Sequence, residues 1–118
     1  MKLTDTLFKI CCFEQRQMEV FIFTIEPQIN NIIYQAHFPG HPVTPGACLI
    51  QIARELTQRC WGYEREIIGL KSVKFLNVLE PIVRGKVKFV LKRNDEKSVN
   101  VEILDDEKTY AKMILLTR

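Results

Sequence analysis

No uninterrupted hydrophobic run exceeds four residues in this chain of 118, Val20-Phe21-Ile22-Phe23 being one of that length, whereas a bilayer-crossing helix needs about 20. A membrane span is therefore not expected. The opening residues, with Lys2, Asp5 and Lys9, lack the apolar stretch of roughly 7 to 15 residues that marks a secretory signal. With Met1 as the start, a cytoplasmic protein is expected. Glycine and proline are scarce, at 5 each, which excludes collagen-like and low-complexity chains. The 4 cysteines form neither a C-x-x-C pair nor a zinc-type cluster. Cys11 and Cys12 are adjacent and point apart on any strand, and Cys48 and Cys60 stand three turns apart on a helix, beyond disulfide reach. Free thiols are expected, and no metal site.

What is present is an ordinary globular composition, 47% hydrophobic and 26% charged, on a length suited to one domain over residues 1–118. The net charge of +3 is unevenly placed. Between Lys71 and Arg93 stand Lys71, Lys74, Arg84, Lys86, Lys88, Lys92 and Arg93 against the single acid Glu80. Such a stretch suits either the solvated outer faces of strands or the docking of an acidic partner. Nucleic acid is not expected, because no basic run is interleaved with aromatics and no recognised binding motif appears.

Periodicity orders the elements. Met18 to Ile25 is aromatic and β-branched and reads as a buried strand stopped by Pro27; Ile29 to about His37 reads as a second. Leu49, Ile52, Ala53, Leu56 and Cys60 then recur on one helical face. The expected helix runs from about Pro45 to Trp61, with Thr44 as its cap, Pro45 in its first position and Gly62 after its end. Four strands follow: Ile67 to Leu79, Gly85 to Lys92, Lys97 to Leu104 and, after an Asp105-Asp106-Glu107 turn, Thr109 to Thr117. This is an α+β pattern in which one antiparallel sheet covers one helix, leaving a face and an edge that a second copy would bury.

The chemistry concentrates in His37-Phe38-Pro39-Gly40-His41-Pro42-Val43-Thr44-Pro45-Gly46. A histidine at a strand end can titrate near neutral pH, and the proline-stiffened loop after it leads into a helix head whose unpaired N–H groups can hold a developing oxyanion. Together they suit proton abstraction beside a carbonyl. An isolated His37 would also be explained as a structural loop residue, and His41 reads as an exposed one.

The string H-F-P-G-x-P-x-x-P-G, with an apolar helix behind it, resembles the motif of the 3-hydroxyacyl-(acyl carrier protein) dehydratases of fatty acid synthesis, which have the hot-dog fold. Ile68-Gly69-Leu70-Lys71-Ser72-Val73-Lys74-Phe75 and Glu80-Pro81-Ile82-Val83-Arg84-Gly85 extend the similarity. The resemblance implies a sheet wrapped around a central helix and a homodimer with one continuous sheet and two interfacial tunnels. It implies His37 as the base that removes the C2 proton of a 3-hydroxyacyl thioester, and Gly46 N–H as the donor to the thioester carbonyl, with Phe38 and Pro45 beside the substrate. It also implies an acyl carrier protein as partner, and the basic stretch from Lys71 to Arg93 offers Arg84, Lys86 and Lys88 as candidate docking residues for that acidic carrier. No cofactor is implied.

One position departs from the family pattern. Five residues after the glycine, where the family carries a catalytic carboxylate, stands Gln51, which has no acidic proton to deliver. Glu55 stands one turn later, as if the pair were exchanged. At i and i+4 the two share a face, so Glu55 either serves the site or forms a surface ion pair with Arg59. A dehydratase, a catalytically silent acyl- or carrier-binding module, and a hot-dog thioesterase are the readings left, in that order.

Overall fold

The computed structural model describes residues 7–28, 43–62, 66–80 and 85–118. Six strands, β1 (Phe8–Gln17), β2 (Val20–Pro27), β3 (Ile67–Phe75), β4 (Val87–Asp95), β5 (Ser98–Leu104) and β6 (Thr109–Thr117), and one helix, α1 (Gly46–Trp61), are found among them. The strands form a single sheet in the order β1-β2-β4-β5-β6-β3, and every neighbouring pair is antiparallel. β1 and β3 are its edges.

Alternation decides which side of each strand goes inward. Val87, Phe89 and Leu91 of β4 are buried while Lys88 and Lys92 point out, and Val99, Val101 and Ile103 of β5 are buried likewise, as the period-2 pattern requires. Register lines these inward residues up across the strands. One row runs from edge to edge: Phe13, Phe23, Phe89, Ile103, Ala111, Phe75. Its middle four members are buried and its two ends are not.

The helix closes this inner face. Leu49, Ile52, Ala53 and Leu56 lie on one stripe and are buried in the same core as the inward strand residues, and removing each large side chain from water contributes about 1.5–3 kcal/mol. Thr57, also buried, is satisfied by donating its hydroxyl to Ala53 O at 2.7 Å. Gly62 ends the helix with φ 94 and its N–H on Gln58 O at 2.8 Å, a left-handed-side φ that favours glycine. This is the α+β, helix-under-sheet arrangement that the sequence implies.

Four expectations change in detail. β1 is an additional strand that no alternation announces, since its residues from Cys11 to Gln17 are exposed on both faces. The first buried strand begins at Val20, with Met18 and Glu19 in the turn before it. β3 stops at Phe75 and not at Leu79, since Leu76 and Asn77 both turn their N–H groups to Tyr110 O, at 2.8 and 3.3 Å. Pro45, not Thr44, is the N-cap, and among the described residues no side chain caps the helix; Thr44 is buried and its N–H bonds Leu79 O at 2.9 Å. The strand Ile29 to His37 and most of the loop after it lie outside the described residues.

Candidate active site at the head of the helix

Pro45 sets the helix head. Its extended backbone (φ -61, ψ 144) turns the chain into α1, and its carbonyl accepts from Cys48 N at 3.0 Å and Leu49 N at 3.2 Å. Of the first four N–H groups of the helix, those of Gly46 and Ala47 therefore stay at the open end among the described residues, without a side-chain cap. Aligned peptide dipoles give that end a partial positive charge that favours an anion or a polarised carbonyl oxygen.

The missing side chain of Gly46 has a second consequence. A Cβ built there would stand 2.7 Å from Cζ of Phe75 and 3.0 and 3.2 Å from its two Cε atoms. The Phe75 ring thus lies against the first residue of the helix, in the space a side chain would fill. Nothing local in the sequence announces this contact, and Phe75 was missed as a site candidate.

One and two turns along, Gln51 and Glu55 come together. Gln51 Nε2 donates to Glu55 Oε2 at 3.1 Å, which the i, i+4 spacing allows. Glu55 is only 8% exposed, while Arg59 one turn on is exposed, so Glu55 does not occupy the solvated face that a surface ion pair would need. A carboxylate taken from water is retained where hydrogen bonds offset its desolvation, and the Gln51 amide supplies one. The arrangement couples the Gln51 amide to a buried carboxylate one turn behind it.

Other sequence candidates fall elsewhere. His37, Phe38, His41 and Arg84 lie outside the described residues. Lys86 and Lys88 are exposed, Lys88 on the outer side of β4, away from the helix. The cysteines are free, Cys11 and Cys12 exposed and the helical pair half-buried. Burial pushes the Cys60 thiol up to about 12, with Arg59 opposing the shift, and raises Cys48 as well; neither is an activated nucleophile. Among the described residues no group of three His, Cys, Asp or Glu side chains is placed to hold a metal ion, and no helix is long and apolar enough to cross a membrane.

Comparison with known proteins bears on this geometry. The ApeI-like family, described as ApeI dehydratase, matches residues 13–114. The 3-hydroxyacyl-(acyl-carrier-protein) dehydratase FabZ of Lactiplantibacillus plantarum is 24% identical over 99 residues, covering 76% of this chain and 67% of that protein. FabZ of Acidiphilium cryptum is 30% identical over 103 residues, 74% of this chain and 62% of the other. The chain thus spans about two thirds of the length of these relatives. Among solved structures, the dehydratase heterocomplex ApeI:P from Xenorhabdus doucetiae superposes with a TM-score of 0.78 at 18% identity, over 92% of this chain and 97% of that one. The dehydratase domain from the CurF module of curacin polyketide synthase gives 0.71 at 16% identity, over 95% of this chain and 43% of that one. Thioesterase HI1161 from Haemophilus influenzae gives 0.59 at 14%, over 98% and 81%. At such identities the structures establish the shared hot-dog fold, which hosts both chemistries.

Proposed function

Because this chain belongs to the ApeI-like dehydratase family, we propose that it removes water from a 3-hydroxyacyl thioester to give the trans-2-enoyl thioester, on a chain carried by an acyl carrier protein, in fatty acid or related lipid or polyketide synthesis. The observation that carries this reading is the buried Glu55 hydrogen-bonded to Gln51 on the helix whose open head begins at Gly46. In the proposed reaction His37 takes the C2 proton, Gly46 N–H holds the carbonyl oxygen as negative charge develops there, and the Glu55 carboxylic acid supplies, through a bridging water, the proton that leaves with the 3-hydroxyl. The C2–H and C3–O bonds break, C2=C3 forms, and no redox partner or cofactor is required.

A second copy completes the site in this reading, as a homodimer or a larger assembly. Its support is the β3 edge, where Ile67, Ile68, Gly69 and Leu70 line an open groove of about 360 Å³ with Ile50 and Arg54 of the helix. Exposed Lys86 and Lys88, with Arg84, would dock the acidic carrier, an attraction that salt weakens over a Debye length of about 8 Å at physiological ionic strength.

The test is turnover of 3-hydroxyacyl carrier substrates of several chain lengths between pH 6 and 9. Enoyl thioester is expected, and Glu55→Gln should lower its rate by the 10²–10⁴ that a positioned general acid typically contributes. An unchanged rate removes Glu55 from the mechanism, and no product at any pH rejects the activity.

A second reading, an acyl- or carrier-binding module without activity of its own, is favoured by Gln51. It would act as a partner subunit, and a structural neighbour is a dehydratase heterocomplex, so a different chain would supply the missing carboxylate. Gln51→Glu separates the two: a large gain in dehydration marks a site otherwise intact, whereas no gain with tight acyl binding favours the module. Release of free thiol from acyl thioesters would instead point to the thioesterase chemistry that the same fold also supports.

A further inference from the structure

We propose that Phe75 is the specificity-determining residue of this site: its ring is a wall beside the helix head that admits an unbranched acyl thioester and excludes one substituted at C2. The proposal rests on the reading that a thioester carbonyl binds at Gly46 N–H.

Three observations place the wall. The ring occupies the space a Gly46 side chain would take, with its Cζ 2.7 Å and its two Cε atoms 3.0 and 3.2 Å from that position. Its backbone is held in place by the sheet. Phe75 pairs with Ala111 of β6, and the next two residues are clamped to the same strand, Leu76 N and Asn77 N donating to Tyr110 O at 2.8 and 3.3 Å and Asn77 Nδ2 to Thr109 O at 2.8 Å. The third observation is exposure. Phe75 is 53% exposed, so the ring that lies against Gly46 presents its other side to solvent and to a ligand at the helix head.

Geometry turns the wall into a filter. A carbonyl oxygen accepting from Gly46 N–H lies about 2.9 Å from that nitrogen, and in the proposed pose the thioester sulfur and C2, each two bonds from that oxygen, lie beside the ring that fills the Gly46 side-chain space. Flat CH₂ groups can pack against an aromatic face. A methyl group on C2 must displace the ring or tilt the carbonyl away from its donor, and misplacement of about 1 Å is costly to reaction geometry. Elimination itself does not forbid such a substrate, because a 2-methyl-3-hydroxyacyl thioester keeps one C2 hydrogen to lose.

Two variants and one pair of substrates test the idea. The wild-type protein is expected to prefer a 3-hydroxyacyl pantetheine thioester over its 2-methyl counterpart by about 10- to 200-fold in kcat/KM, the range one methylene commands in a fitted pocket. Phe75→Ala removes the wall, and Gly46→Ala unseats it by pushing the half-exposed ring outward while keeping the backbone N–H. Both should reduce the preference to about threefold or less. Loss of rate in equal proportion for the two substrates, with the preference intact, overturns the proposal. If the wild-type protein turns over neither substrate, the dehydratase reading fails and competition binding of the saturated acyl and 2-methylacyl pantetheine thioesters decides the wall on its own. A tenfold or greater preference lost in Phe75→Ala supports it, and equal binding of both thioesters to the wild-type protein rejects it.

Discussion

Phe13 and Phe75 end the same row of the sheet, one on each edge strand, and are equally exposed at 52% and 53%, yet they stand in opposite settings. Phe13 leans on other aromatics, 5.7 Å between ring centroids from Phe21 and 4.9 Å from Phe23. Its strand carries Lys9, Glu14 and Arg16, the last two in an exposed ion pair at 3.1 Å, and is bulged twice. β3 is bulged twice as well, between Ile67 and Gly69 and between Leu70 and Ser72, and carries exposed Lys71 and Lys74, so neither the bulges nor the charges that discourage edge pairing separate the two strands. Phe75 instead rests on the helix head, on a strand whose exposed side chains include Ile68 and Leu70. What differs is the apolar surface around each ring: Phe13 packs among its own sheet's aromatics, whereas Phe75 continues a run of exposed apolar side chains, Ile68, Leu70, Leu76 and Val78, that offers surface to a second copy.

The row itself gives the sharpest test of its middle against its ends. Phe89, wholly buried between them, should cost about 3–5 kcal/mol on truncation to alanine. Phe13→Ala should cost about 1 kcal/mol, since half its surface is already in water and it forfeits mainly the aromatic pairing. Phe75→Ala should cost no more. Urea unfolding of the three variants checks the order, and a Phe75 loss as large as that of Phe89 would make the ring a core residue and remove the contrast.

Next comes self-association. Leu70→Lys on β3 should weaken it by about 100-fold or more, equivalent to about 2.7 kcal/mol, while Phe13→Lys on β1 should leave it within a few-fold. Sedimentation equilibrium across a dilution series reads both. The reverse pattern would show that β1 is the pairing edge and break the comparison.

How much of this was legible in the sequence depends on whether the signal is local. The helix, its apolar stripe, the Gly62 terminator and the outward lysines of β4 follow from spacing alone, and so does the adjacency of Gln51 and Glu55. β1 escaped because it is an edge strand exposed on both faces from Cys11 to Gln17, which leaves no apolar alternation to mark it. The site's rim escaped for a different reason: Gly46 and Phe75 meet only because β3 returns beside the helix head, and no periodicity encodes a contact between distant segments. The burial of Glu55 was likewise beyond the sequence, where an exposed pairing with Arg59 fitted the spacing equally well.

The smallest expected effect serves as the control, because it lies at the hairpin between β4 and β5, on neither edge. Asp95 Oδ1 accepts from Lys97 N at 2.7 Å and from Ser98 Oγ at 3.2 Å, and these bonds, the Lys97 backbone one foremost, hold its carboxyl below the usual value, with burial opposing them. A carboxyl whose folded-state pKa is depressed contributes stability above its unfolded value of about 3.9 and loses it as pH falls through the folded value. Asp95→Ala should therefore lower Tm slightly and by a constant amount from pH 7 to about 5, and the difference should shrink as the pH falls past the unfolded value and through the depressed folded one. Association measured alongside should not change at any pH. If it does, the charge state of the sheet's middle reaches its edges, and β1 and β3 cannot be treated as independent surfaces.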